Sequence, residues 1–228
     1  MRRVIGRELI DEPVNDFDEL AANLRDIAFA NERLGGIRPV VRALARLPAA
    51  SVLDVGSGAG DVALALVRAF EVRGIPLQVT CLDRSEQMLA LARRTTGAHP
   101  ALTFACADGE ALPYGDGAFD VAICTLALHH FDPEAAVALL RELRRVSRLT
   151  PLVCDLRRSP VAFAAVWLWS RTSRNRLTRH DGPLSVRRAY TPREALALAR
   201  AAGWTDPQVR REPYFRMTLA EKTCATTS

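Results

Sequence analysis

The stretch Leu53-Asp54-Val55-Gly56-Ser57-Gly58-Ala59-Gly60-Asp61 reads as a strand that runs into three glycines and then into a helix. Glycines at such a junction permit positive φ and let a ligand lie against the backbone at the helix N-terminus. A dinucleotide-binding loop wants G-x-G-x-x-G. Here the spacing is G-x-G-x-G, and Asp61 stands where the third dinucleotide glycine would be. A carboxylate at the helix start repels a diphosphate, which argues against NAD or FAD. A ligand with an ammonium, one carboxylate and no phosphate is compatible.

Two further aspartates fall at predicted strand ends. Asp83 follows the next strand, where an acid in a doubly wound sheet accepts from ribose hydroxyls. Asp108 and Gly109 follow the third, where a carboxylate can accept from an adenine amino group while the glycine backbone approaches the ring. Singly, each aspartate is a common turn former or helix cap. With the glycine loop they outline a crevice for an adenosine. His129 and His130 come after the fourth strand, and imidazole titrates near neutral pH. Two readings stand open: a general base toward a phenol or enol, or a ring packed behind the ligand. His99 and His180 sit in loop contexts and receive no role.

These residues need strands to present them. Apolar positions at helical spacing run through Phe17, Leu20, Ala21, Leu24, Ile27 and Ala28, and again through Ile37, Val40, Val41, Leu44 and Leu47, with Gly35-Gly36 as the break. After Pro48, short apolar runs alternate with helical ones. Strands are predicted over 51–55, 77–82, 102–106, 119–126 and 152–155, and helices over 61–72, 85–94 and 133–146. Ser85 and Asp132 read as helix caps, the second followed by Pro133. Strands alternating with helices of this length imply βαβ units and a parallel sheet. Residues 157–189 lack strand signal; Thr191 to Glu194 then opens a helix that Gly203 ends, and 208–211 and 214–219 read as a closing hairpin around Pro213.

The 228 residues are 49% hydrophobic and 25% charged, which excludes disorder, collagen and coiled coil. The division expected is a single domain: an N-terminal helical cap (1–48), a ligand-binding half (49–156), a helical insertion or lid (157–190) and a closing helix and hairpin (191–228). Cys81, Cys106, Cys124, Cys154 and Cys224 are odd in number and form no C-x-x-C, which argues against a disulfide framework or a zinc site; no metal is expected. The Met-Arg-Arg opening leads into acidic residues, so no secretory signal is read, and the longest apolar run, Val161 to Trp169, is about half a membrane span. A reducing cytoplasm is the expected compartment. Net charge is +5 and Lys222 is the single lysine; between Arg141 and Arg216 there are 17 Arg against six acids. A solvated arginine face accounts for that excess more simply than a nucleic-acid surface.

Leu53 to Asp61 resembles the first motif of class I S-adenosylmethionine-dependent methyltransferases. The run from Ala107 to Asp120, with Val121 to Leu128 and His129-His130-Phe131, is similar to the ubiquinone/menaquinone-biosynthesis-like branch of that superfamily. The match extends over about Ser51 to Asp155. The resemblance implies a three-layer αβα, Rossmann-like, seven-stranded sheet of order 3-2-1-4-5-7-6 with strand 7 antiparallel, N-terminal helices and a helical insertion before strand 6. It implies S-adenosylmethionine as cofactor, with Asp54, Gly56, Ser57, Gly58 and Gly60 along the methionine part and Asp83, with Arg84 beside it, at the ribose. Asp108 and Gly109 would hold the adenine, and Thr125 the amino acid moiety near the methyl. His129 and His130 are the candidate bases.

Acceptor recognition in this superfamily lies in the N-terminal helices and the insertion. Here the insertion holds Phe163, Trp167 and Trp169, then Arg171, Arg174, Arg176 and Arg179. It suits a lid over a flat or lipid-like acceptor, a helix packed on the sheet, or an interfacial membrane contact. Nucleic acid is disfavoured: Thr125-Leu-Ala-Leu-His-His replaces the Pro-Pro-aromatic run that stacks a flipped base. The expected activity is methylation of a small molecule, at a phenolic, enolic or quinone-like oxygen, by a monomer or homodimer. Carbon methylation, or a homologue that binds the cofactor without transfer, is the alternative.

Overall fold

The computed structural model describes residues 1–12, 16–33 and 36–222. Gly35 and Cys224 lie outside them. The alternating pattern becomes strands β1 (Ser51–Val55), β2 (Gln78–Asp83), β3 (Leu102–Cys106), β4 (Phe119–Thr125), β5 (Ser147–Leu156), β6 (Pro207–Glu212) and β7 (Arg216–Glu221). Among them run helices α1 (Phe17–Arg33), α2 (Arg38–Leu44), α3 (Asp61–Glu71), α4 (Glu86–Thr95), α5 (Pro133–Val146), α6 (Pro160–Ser170), α7 (Arg176–Arg188) and α8 (Pro192–Ala201). One sheet holds all seven strands in the order β3-β2-β1-β4-β5-β7-β6. Pairs are parallel except those of β7 with β5 and β6.

Successive side chains of a strand point to opposite faces, and helices cover both. Leu53, Val55, Ala122 and Cys124 pack on Leu139, Leu140 and Leu143 of α5 and Ala195 and Ala199 of α8. Val52, Val79, Val121 and Ile123 pack on Val40 and Leu44 of α2 and Leu66, Val67 and Phe70 of α3. The central strands are therefore apolar on both sides, which gives their short continuous runs in the sequence.

Ser85 caps α4 by accepting from the Met88 amide, and Thr191 and Glu194 form a capping box on α8. Asp132 precedes α5 without a side-chain cap bond; its carboxylate faces Arg3 at 3.5 Å instead. Two predicted strands shift by more than one residue. β5 begins at Ser147 rather than 152, directly from the end of α5, because Phe119 and Val121 of β4 pair with Ser147 and Thr150 across a bulge. Tyr214 and Phe215 leave the last strand: with φ of +54° and +59° they make its hairpin turn.

The insertion is a helical pair. α6 packs chiefly on α7, not on the sheet, and leaves Val161, Trp167 and Leu168 exposed; α7 packs on α1 and on residues 9–11. Among the described residues no helix is long and apolar enough to cross a membrane. Cys81, Cys106, Cys124 and Cys154 are free thiols.

Candidate active site

The glycine loop is clamped to the end of β2. The Gly56 and Ser57 amides donate to the Leu82 carbonyl at 2.8 and 3.1 Å, and the Gly58 amide donates to Asp83 Oδ2 at 3.0 Å. Asp83 Oδ1 accepts from the Ser85 amide at 2.9 Å, so this one carboxylate braces both the loop and the start of α4. The three loop glycines serve different ends. A Cβ on Gly56 would lie 2.7 Å from Ala127 Cβ, and one on Gly60 3.0 Å from Thr96 Cγ2. At Gly58, φ +52°, a Cβ would meet nothing within 4 Å. Gly58 thus faces open space, as a backbone surface for a ligand requires.

Asp54 stands at the other side of this loop with 1% exposure, and neither carboxylate oxygen accepts a hydrogen bond. Burial, with Asp61 and Asp83 adding like charge, pushes its carboxyl up to about 8. The hydroxyls of Ser57 and of Thr125, at the end of β4, are also buried without hydrogen-bond partners. Buried acceptors are rarely left in this state. A ligand with an ammonium and further donors fits these atoms; a phosphate, with acceptors only, does not.

Past the end of β3 both predicted residues already have structural partners. Asp108 Oδ1 accepts from the Glu110 amide at 2.9 Å, the turn-forming role of an aspartate. A Cβ on Gly109 would lie 2.9 Å from Val55 Cγ1 and 3.1 Å from Leu139 Cδ1, so packing alone already demands glycine there. Arg84 is mostly exposed and reaches Asp11 Oδ1 at 3.6 Å.

The histidines stand in a charged cluster that the chain's first twelve residues complete. His129 Nδ1 lies 2.7 Å from Asp155 Oδ1, and its amide donates to Asp155 Oδ2 at 2.9 Å. His130 Nδ1 lies 2.9 Å from Asp11 Oδ2. The rings are tilted against each other with centroids 4.4 Å apart. Both rings face Glu8 through Nε2, at 3.9 and 3.8 Å. Burial alone would lower the pKa of His130, but Glu8 and Asp11 outweigh it and hold it above the usual value. Burial likewise works to raise Asp155, and the adjacent His129 reverses this and keeps it low.

Arg188 binds the back of the cluster, donating from Nε to the His129 carbonyl at 3.2 Å and from Nη2 to the His130 carbonyl at 2.6 Å. The N-terminal segment is pinned across it. The Leu9 and Ile10 amides donate to Asp181 at 2.9 and 3.0 Å, Ser185 Oγ donates to Glu8 Oε2 at 2.8 Å, and Arg3 Nε donates to the Arg188 carbonyl at 2.7 Å. Glu8, Asp11, Asp155 and Arg188 are absent from the sequence-derived site. Asp155 alone left a signal, as a carboxylate at the end of a predicted strand.

A βαβ sheet of this order, with a glycine loop after β1 and acids at or near the ends of β1, β2 and β3, is the fold of the solved S-adenosylmethionine-dependent methyltransferases that the chain resembles. Residues 52–149 match the family described as "Methyltransferase domain". Over 106 residues the chain is 32% identical to the ubiquinone/menaquinone biosynthesis C-methyltransferase UbiE of Rickettsia akari, covering 45% of this chain and 42% of that protein. It is 32% identical over 146 residues to the malonyl-[acyl-carrier protein] O-methyltransferase of Halorhodospira halophila, covering 64% and 45%. The chain thus spans less than half the length of these relatives. The crystal structure of an S-adenosylmethionine-dependent methyltransferase from Aquifex aeolicus shares the fold, with a TM-score of 0.66 at 17% identity over 91% of this chain and 98% of that one.

Proposed function

We propose that this chain methylates a hydroxyl oxygen of a small phenolic, enolic or quinone-like molecule, using S-adenosylmethionine held at the carboxyl ends of β1 to β4. The observation that carries the reading is the buried Asp54 carboxylate with both oxygens free, across the glycine loop from Asp83. When bound, the cofactor supplies a methyl group already activated on a sulfonium sulfur. Asp54 and Thr125 would hold the amino acid end, with Gly56, Ser57, Gly58 and Gly60 beneath it. Asp83 and Arg84 would take the ribose, and Asp108 and Gly109 the adenine. What remains for the chain is to align the acceptor, exclude water and remove the hydroxyl proton. α7 and the N-terminal segment cover the acceptor side, and the imidazole–carboxylate cluster around His129 and His130 would ionise the hydroxyl.

Carbon methylation is the second reading, favoured by the C-methyltransferase names among the relatives. A ring carbon activated by a neighbouring phenolate needs the same proton loss, so one site serves either atom. Incubation with methyl-labelled cofactor and a panel of phenols and quinols is expected to give labelled methoxy product and S-adenosylhomocysteine. Label on ring carbon would favour the second reading; cofactor uptake with no transfer across broad panels would refute both. His129→Ala and His130→Ala should each spare cofactor uptake and lower turnover.

Asp83→Ala is expected to weaken S-adenosylhomocysteine binding by about 1.5–3 kcal/mol, because it removes charged hydrogen bonds and frees the loop it braces. Unchanged affinity in calorimetry would refute the ribose role.

A further inference from the structure

The two histidines present an arrangement that the methyl-transfer reading does not require. Each uses Nδ1 on a carboxylate, Asp155 for His129 and Asp11 for His130. A neutral ring that donates through Nδ1 keeps its lone pair on Nε2. Both Nε2 atoms then point at one buried acid: His129 Nε2 is 3.9 Å from Glu8 Oε1 and His130 Nε2 is 3.8 Å from Glu8 Oε2. Glu8 is 2% exposed, and its Oε1 has no hydrogen-bond partner. The ligand-capable atoms of the three residues all lie within 4.8 Å of one another.

Those separations are too long for an N–H···O bond. The three groups face one another without a bond between them, and a cation among them would pair with all three. The neighbouring guanidinium stands to one side: Arg188 Nε is 3.8 Å from Glu8 Oε1, and its Nη1 is 3.8 Å from Asp11 Oδ2. It is one buried charge beside the three carboxylates of Glu8, Asp11 and Asp155, with the exposed Arg84 reaching Asp11 alone.

We propose that Glu8, His129 and His130 bind a divalent transition-metal ion of the zinc type on the acceptor side of the crevice. Two imidazoles and one carboxylate are a common ligand set for such ions and leave positions open. With bonds of about 2.0–2.2 Å, tetrahedral ligand atoms stand roughly 3.3–3.5 Å apart, so each atom here need close by less than about 1 Å. Asp155 and Asp11 become the carboxylates behind the ligands that orient each ring and raise its basicity. The lack of C-x-x-C pairs bears on thiolate sites alone. An ion here would take the acceptor hydroxyl on an open position and promote its ionisation; only this consequence rests on the proposed methylation.

The test is metal uptake by the whole chain, freed of metal by chelation and dialysis. Calorimetry is expected to show about one equivalent of Zn2+ bound, and Co2+ in its place to give a visible d–d absorption band. Glu8→Gln and His130→Ala should abolish both signals. Asp11→Asn, at the rim, and Asp155→Asn keep every ligand and should weaken binding by about 10- to 100-fold. Circular dichroism checks each variant for folding, and Asp11→Asn remains informative if the buried substitutions unfold the chain. No saturable uptake of either ion by folded wild type, or uptake indifferent to Glu8→Gln and His130→Ala, would overturn the site. Missing uptake with methyl transfer intact sinks the metal and spares the reaction; uptake without transfer does the reverse.

Discussion

S-adenosylhomocysteine is expected to bind about 50-fold more tightly at pH 8 than at pH 6, with proton release through that range. The cause is Asp54, whose buried carboxyl is held up to about 8 in the free protein. The ligand's ammonium needs the ionised form, so below that value a proton must leave before the pair can form, at a cost of about tenfold per pH unit. Calorimetry in buffers of different ionisation enthalpy measures the proton directly. Asp54→Asn should flatten the profile and leave affinity no better than that of wild type at pH 6; a flat profile in wild type would refute the assignment. The sign for the free protein is opposite. An unfolded aspartate ionises near 3.8, whereas folded Asp54 keeps its proton to about 8. Between these values the unfolded state has given up a proton that the folded one retains, so Asp54 makes the free chain less stable as pH rises through that window.

A pair of glycine variants should separate binding from folding. Gly58→Val places an isopropyl group in the open space over the loop, at a φ of +52° that also strains the backbone, so its urea midpoint is measured beside its affinity. Overlap of that kind costs about 1–3 kcal/mol, roughly 5- to 150-fold in cofactor affinity. Gly109→Ala instead drives a methyl group against Val55 and Leu139 in the core. There the same cost, about 1–3 kcal/mol, should appear as a lower urea midpoint. If Gly58→Val binds normally, the ligand does not lie on this loop; if Gly109→Ala is as stable as wild type, the interior relaxes there.

The comparison of these glycines shows what a chain reveals by itself. Loop glycines after an apolar run announce a backbone approached by something, and the alternation of runs announces the sheet, because both are local patterns. Gly109 looks alike in the sequence, yet its neighbours Val55 and Leu139 are distant in the chain. The first half of β5 was hidden for a related reason. Arg148 and Pro151 make poor strand residues, and what holds this stretch is the neighbouring β4, including an ion pair between Arg148 and Asp120. Tyr214 and Phe215 suit a strand by composition, but the hairpin needs its turn at those two residues. Glu8 and Asp11 resemble ordinary solvated acids near a terminus. His130 lies 119 residues beyond Asp11, and nothing in the local pattern foretells that pairing.

The N-terminal strap also orders events during synthesis. Residues 1–12 are made well before the groups that receive them, His129, His130, Asp181, Ser185 and Arg188. While the nascent chain elongates, β1 to β4 and their crossover helices can dock as they appear. The strap must wait, unsheltered, until translation has passed Arg188. The parallel strands β1 to β4 can therefore pair before the strap docks, and the histidine cluster is completed only after them.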